Sequence, residues 1–206
     1  MTANGRSAGD EPQPSGLVGS DCLYRVSWAK TPAARPLTQE QLATAGLALA
    51  LHGPGGMDLK KSHHDELADD PWYLWSGTCR GAWAVSFRPA TDLPDLGGGA
   101  AVCWRARQSG SHRLRLVLEH ETQGWLVSRQ AHGATDGWRE FALDLHSVAW
   151  HHLDIGAVII GEPVAAVSLD RVRAFGVADL AAGDGSDACS RLEWLELRAA
   201  TSRDGA

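Results

Sequence analysis

The sequence predicts an all-β chain, an antiparallel two-sheet sandwich, and three observations point there. Strand-length runs of apolar or alternating residues follow one another through most of the chain. Gly, Pro, Asp and Ser separate them at short, regular intervals, the spacing expected of sandwiches and barrels. Helical periodicity is weak, so helix should occupy less than about a tenth of the residues, well under the globular average. A length of 206 residues suits one sizeable core.

Taken in order, residues 1–20 are rich in Gly, Ser, Pro and acidic side chains and cannot bury enough surface to order themselves. Residues 200–206 read the same way, which leaves 21–199 as one expected domain. Thr38, with Gln41 three residues on, can cap a short turn or helix at 38–42. Leu47, Leu49 and Leu51 then alternate with alanines, as in a strand. Further strands are expected at 72–77, 82–88, 100–108, 112–120, 124–130, 138–145, 156–160, 171–180 and 190–199. In the last of these, Leu192 and Trp194, with Leu195 and Leu197 beyond them, give an apolar face against Arg191 and Glu193.

Matching like faces suggests a register for the middle of the chain. A three-residue loop, Ser109-Gly110-Ser111, would pair Trp104 with Leu116, whereas a two-residue loop would set Arg105 against Leu114. A second hairpin closed by Glu121-Thr122-Gln123 pairs Leu118 with Leu126 and Val117 with Val127, and brings Arg129 opposite Arg115. The two hairpins together predict a row of Arg105, Arg115 and Arg129 on one face. Like charges directly opposite are destabilising, so either carboxylates from Glu140, Asp144, Glu193 or Glu196 interleave with the row, water solvates it, or it forms a cup for an anion that Arg grips bidentately.

A formal net charge of −6 excludes bulk attraction to nucleic acid. No run of about 18 apolar residues exists to span a membrane. The first sixteen residues lack the apolar core of a secretory leader, which predicts a soluble cytoplasmic protein, or a secreted one if a leader has been removed. Cys22, Cys79, Cys103 and Cys189 show no CxxC spacing, so free thiols are expected rather than a zinc knuckle. Nine tryptophans against three phenylalanines and two tyrosines supply large flat faces that serve as core filler or as stacking platforms.

Few motifs carry chemistry. His63-His64-Asp65-Glu66 lies in a polar loop without HExxH spacing. A His beside a carboxylate can act as an acid–base pair, which makes His63, His64 and Asp65 catalytic candidates under an enzymatic reading. His151-His152-Asp154 has the same character. Gly97-Gly98-Gly99 is followed by no GK[ST] and by a strand, so it is no phosphate cradle, and GxSxG does not occur.

The segments DGWREFALDL at 136–145, SLDRVRAFGVADL at 168–180 and CSRLEWLEL at 189–197 resemble the closing strands of galactose-binding-like jelly rolls, the fold of many carbohydrate-binding modules. That resemblance covers roughly 135–198. It implies a ligand on a concave sheet face or in edge loops, and a structural calcium in many members, for which the Asp184/Asp187 loop offers oxygens; the residues themselves indicate no cofactor. The leading expectation is a binding module for a carbohydrate or similar hydroxylated, even anionic, small molecule. Stacking would come from Trp75, Trp125 or Trp138, and charge recognition from Arg105, Arg115 and Arg129. The alternative is an intracellular lyase, hydrolase or cyclase on the same scaffold, in which case His63, His64 or His120 should line a deep enclosed pocket. A protein-interaction face is a third.

Overall fold

The computed structural model describes residues 20–200, so the tails expected at 1–20 and 200–206 fall outside the described residues except for Ser20 and Ala200. Thirteen strands are described: β1 (Ser20–Val26), β2 (Leu47–His52), β3 (Lys60–Ser62), β4 (Tyr73–Trp75), β5 (Trp83–Pro89), β6 (Ala101–Gln108) and β7 (Arg115–His120). Then follow β8 (Gly124–Ser128), β9 (Arg139–Asp144), β10 (Trp150–Asp154), β11 (Ile159–Pro163), β12 (Val172–Asp179) and β13 (Ser190–Ala200). Helix among these residues is confined to three-residue 3-10 turns. One, Gln39–Gln41, carries the expected capping box, with the Thr38 amide donating to Gln41 Oε1 at 2.7 Å.

Two antiparallel sheets form the sandwich. A seven-stranded sheet runs β11-β10-β8-β7-β12-β5-β2, and a six-stranded sheet runs β3-β4-β13-β6-β9 with β1 also on β13. β1 and β4 share one edge of β13 end to end: β4 pairs with Arg191 and Leu192, and β1 begins its pairing at Leu195. Between those two stretches β13 bulges, with Leu192 opposite Ala106 and Trp194 opposite Arg105, so that Glu193 is the extra residue. The core lies between the sheets. Val102, Trp104, Leu195 and Leu197 of one sheet meet Leu116, Leu118, Phe175 and Phe87 of the other, all essentially without exposure.

That arrangement corrects the register of the first hairpin. Trp104 and Leu116 share a core but not a ladder: β6 pairs with β13 and β9, while β7 pairs with β8 and β12. Residues 109–114 cross from one sheet to the other, and His112 in that crossing is anchored. Its Nδ1 lies 2.6 Å from Asp179 Oδ2 of β12, which also accepts from Ser190 Oγ of β13 at 2.7 Å. All three side chains are buried, so the crossing is clamped to both sheets. The second hairpin stands as expected, with Val117 opposite Val127 and Leu118 opposite Leu126.

The bulge corrects a second expectation. It places Glu193 and Trp194 together on the outer face, so Trp194 does not join the core face of Leu192, Leu195 and Leu197.

The seven-stranded sheet is curled. His52 of β2 and Trp125 of β8 have β5, β12 and β7 between them, a flat separation of roughly 19 Å at about 4.8 Å per strand step. Their ring centroids are nevertheless 5.0 Å apart, which requires the sheet to wrap around its outer face. The β10–β11 tip folds into that hollow. Leu153 and Val158 pack there on Ala84, Val117, Val127 and Ala178. A Cβ on Gly53 would lie 2.4 Å from Val158 Cγ2, so the tip is seated against backbone that only glycine permits. No helix of the described residues is long and apolar enough to cross a membrane.

Candidate functional site

The break in the edge of the six-stranded sheet opens into a cleft of about 500 Å³, a size in the range of small-molecule sites. Each wall has a local cause. The end of β1 supplies Arg25, Ser27 and Trp28. The β3–β4 loop supplies His63, Asp69, Asp70, Pro71 and Trp72, and the β13 bulge supplies Glu193 and Trp194, with Arg105 of β6 beside them. Trp28 is pinned beneath by its Nε1, which donates to the Leu192 carbonyl at 2.8 Å.

Aromatic and ionic groups alternate around the cleft. The Arg25 guanidinium sits 4.6 Å from the Trp194 ring centroid and is tied to the buried Glu196 carboxylate, which Arg198 also holds at 2.8 Å. Arg105 forms an ion pair with Glu193, and its guanidinium lies 5.8 Å from the Trp138 ring. Such contacts of guanidinium with an aromatic face are attractive and orient both groups. The His63 ring stacks on Trp72 at 3.9 Å and 24°, with Nε2 lying 3.2 Å from Asp65. Asp70 accepts from the His64 amide at 2.9 Å and lies the same distance from His64 Nδ1. The Tyr73 hydroxyl reaches that nitrogen at 3.1 Å, and burial pushes the Tyr73 phenol up. Beneath Trp72, Lys61 is fully buried, its Nζ donating to the Ala29 and Thr31 carbonyls; burial lowers its ammonium.

The structure gathers some of the residues singled out from sequence and scatters others. Arg105 and His63 line the cleft, Trp138 backs Arg105, and His64 lies close by, with Asp65 outermost and highly exposed. Trp75 is on the same sheet face but away from the cleft, its Nε1 donating to Cys189 Sγ at 3.2 Å and Lys60 Nζ 5.4 Å from its ring. The row of Arg105, Arg115 and Arg129 does not form, because Arg105 belongs to the other sheet. Arg115 spends its guanidinium on the Ser128 carbonyl at 3.0 Å and on that of Arg129, and burial lowers it. Of the carboxylates proposed to interleave with the row, Glu193 pairs with Arg105 and Glu140 stands opposite it in the ladder. Trp125 packs in the hollow of the seven-stranded sheet. His120 ends β7, its Nδ1 accepting from the Thr122 and Gln123 amides of the following turn at 3.2 and 3.1 Å, and His151, His152 and Asp154 lie within β10.

Trp194, Arg25 and Asp70 were missed as site residues, whereas Trp72 belongs to the run Trp72-Tyr73-Trp75, one side of which is free to stack on a sugar ring. The one local signal is the sequence Leu192-Glu193-Trp194-Leu195, where strict alternation fails by one residue. For a metal, no group of three or more His, Cys, Asp or Glu side chains converges among the described residues, in the Asp184/Asp187 loop or elsewhere. All four cysteines are free, and burial pushes the Cys79 thiol up to about 12.

No protein-family model and no curated protein sequence matches the chain. Among solved structures it is similar to the family 11 carbohydrate-binding module from Clostridium thermocellum in complex with a β-1,3-1,4-mixed-linked tetrasaccharide, at 12% identity and a TM-score of 0.46, covering 82% of this chain and 96% of that one. It is also similar to the carbohydrate esterase vb_24B_21 from the Shiga toxin-encoding bacteriophage phi24B, at 11% identity and 0.48, covering 89% and 100%. A third is TmCBM61 in complex with β-1,4-galactotriose, at 9% and 0.39, covering 74% and 88%. All three likenesses are at low sequence identity.

Proposed function

We propose that this chain is a carbohydrate-binding β-sandwich that holds a neutral oligosaccharide in the cleft between the end of β1 and the start of β4. The observation that carries this reading is the composition of the cleft wall. Trp72 and Trp194 offer apolar planes for the C–H faces of sugar rings. Around them stand three cationic side chains, Arg25, Lys30 and Arg105, against three carboxylates, Asp69, Asp70 and Glu193. A hydroxyl both donates and accepts, so a polyol can satisfy either sign, whereas an anion would meet as many carboxylates as cations. The contacts of Arg25 with Glu196 and of Arg105 with Glu193 also fix those groups before a ligand arrives, and preorganisation of this kind favours binding. The openness of the cleft favours binding over the enzymatic alternative, since His63 stands in an open wall rather than in an enclosed chamber.

The test is a calorimetric titration with a panel of neutral and acidic oligosaccharides, starting from mixed-linked glucan tetrasaccharide and β-1,4-galactotriose. Trp194→Ala should weaken binding of a neutral member by roughly 10- to 100-fold, the loss expected of a stacked aromatic anchor, with the fold intact by circular dichroism. Trp125→Ala should leave affinity unchanged. Binding that follows Trp125 instead of Trp194 would move the site to the other sheet.

A further inference from the structure

We infer that the outer face of the six-stranded sheet carries a second subsite beside the cleft, one that takes the sulfate or carboxylate groups of an acidic polysaccharide. The choice of a polysaccharide rests on the carbohydrate reading above; the choice of an anion rests on a row of side chains. Lys60 of β3, Trp75 of β4, Arg191 of β13 and Arg107 of β6 stand opposite one another across four strands. Residues so opposed project to the same face. The neighbours Leu74, Leu192 and Ala106 are buried in the core, which turns the row outward. Three cations and one tryptophan therefore share a line of about 14 Å, three strand steps of about 4.8 Å.

Elsewhere on this face cations are matched. Arg25 and Arg198 hold Glu196, and Arg105 holds Glu193. In the row, none of Lys60, Arg107 and Arg191 forms an ion pair among the described residues. Arg191 donates to the Ser186 carbonyl at 3.3 Å, the Lys60 ammonium lies 5.4 Å from the Trp75 ring, and Arg107 is exposed. Arg107 and Arg191 are directly opposite in the ladder, an arrangement that destabilises like charges. Two guanidinium groups so placed can grip an oxyanion from two directions. Trp75 is fixed beside them. A Cβ on Gly77 would lie 2.3 Å from Trp75 Cζ2, so the indole rests against backbone that glycine leaves bare. It gives the cations an apolar neighbour suited to the ring that carries the anion. Arg107 and Arg191 also lie two residues along β6 and β13 from Arg105 and Glu193 of the cleft wall, roughly 7 Å. With a net charge of −6, attraction for an acidic polymer has to be local.

The experiment titrates the full chain with dextran sulfate and polygalacturonate at low and at physiological salt, beside the neutral oligosaccharides of the panel above. Both acidic polymers should bind and weaken as salt rises. Arg107→Ala/Arg191→Ala should weaken them by about 10-fold or more and leave neutral binding as it was. Its melting temperature should be unchanged or higher, since the like-charge opposition has gone. Arg113→Ala/Arg129→Ala removes two exposed arginines elsewhere, gives the same net charge, and should leave the acidic polymers bound. Equal losses in the two double variants, or no binding of either acidic polymer at low salt, would overturn the subsite and leave the neutral cleft standing. Single-stranded DNA bound as tightly as dextran sulfate, and lost with the same arginines, would overturn the polysaccharide assignment. Acidic polymers lost with Arg107 and Arg191, while no neutral oligosaccharide binds, would support the subsite and remove the cleft reading.

Discussion

On the outer face of the six-stranded sheet, Arg25, Arg105, Glu193, Trp194 and Trp138 are held by ion pairs and ring contacts around a cleft that stays open. On the outer face of the seven-stranded sheet, Ala84, Val117, Val127 and Ala178 are fully buried because the chain covers them itself with Leu153 and Val158. Both faces carry tryptophan, arginine and histidine. What differs is the residue size along the strands. Ala84, Ala174, Gly176 and Ala178 leave the curled sheet a hollow floor that a hairpin tip can fill, and Gly176 allows no Cβ at all, since one would lie 2.0 Å from the Val85 carbonyl oxygen. Large polar side chains on the other sheet brace one another and keep a space between them. Surface hydrophobicity alone would have ranked the two faces the wrong way round.

The comparison can be broken most forcefully at Leu153. If the hairpin tip is a structural lid, Leu153→Ala should cost about 2–5 kcal/mol by leaving a cavity, read by chemical denaturation, with oligosaccharide affinity unchanged. Loss of affinity at full stability would mean that the hollow is itself a site. Arg115→Leu comes next. Its guanidinium satisfies the carbonyls of Ser128 and Arg129, so its removal should destabilise by about 1–3 kcal/mol and change sulfate or phosphate binding not at all. An anion lost with this arginine would restore the cup that sequence parity suggested.

The smallest effect is a pH dependence of the seven-stranded sheet. Burial against Trp125 lowers the His52 imidazole from its ordinary 6.5, with Glu119 opposing more weakly. A base whose folded value is depressed takes up its proton more readily when unfolded, so its neutral form supports the fold above 6.5, and that support is lost as pH falls below it. Thermal melting should therefore shift downward between about pH 7 and 5, and less so in His52→Gln. Identical shifts in the two proteins would assign the dependence elsewhere, His132 being the next group lowered by burial.

Strand positions were legible because half-buried strands alternate, and most of the expected runs became strands. Parity, however, says only that two side chains face the same core. Trp104 and Leu116 do so from opposite sheets, and alternation cannot distinguish that from adjacency in one ladder. The arginine row failed for this reason. The hairpin of β7 and β8 succeeded because a three-residue turn left no room for a crossing. β1, β3 and β10 went unread: β3 is only three residues long, and three of the five residues of β10 are histidine or aspartate. In the site, Arg105, Trp138 and His63 were found as chemistry-bearing side chains, but their convergence depends on a one-residue bulge and on two strands abutting along β13. Both are long-range facts, and the broken alternation at Glu193 and Trp194 was their sole trace in the sequence.

The pairing of β1 with β13 has a consequence for timing. β1 is the first strand described, and its ladder partners lie between Leu195 and Ala200. During synthesis its ladder cannot form until β13 emerges, and contacts of large sequence separation are slow to close. The other wall of the cleft, β4, pairs with β3 nearby in the chain but reaches β13 equally late. The cleft therefore completes at the end of folding, after both sheets have most of their strands. A nascent chain released early would hold much of its core with a seam still open, and ligand binding would report on that final step alone.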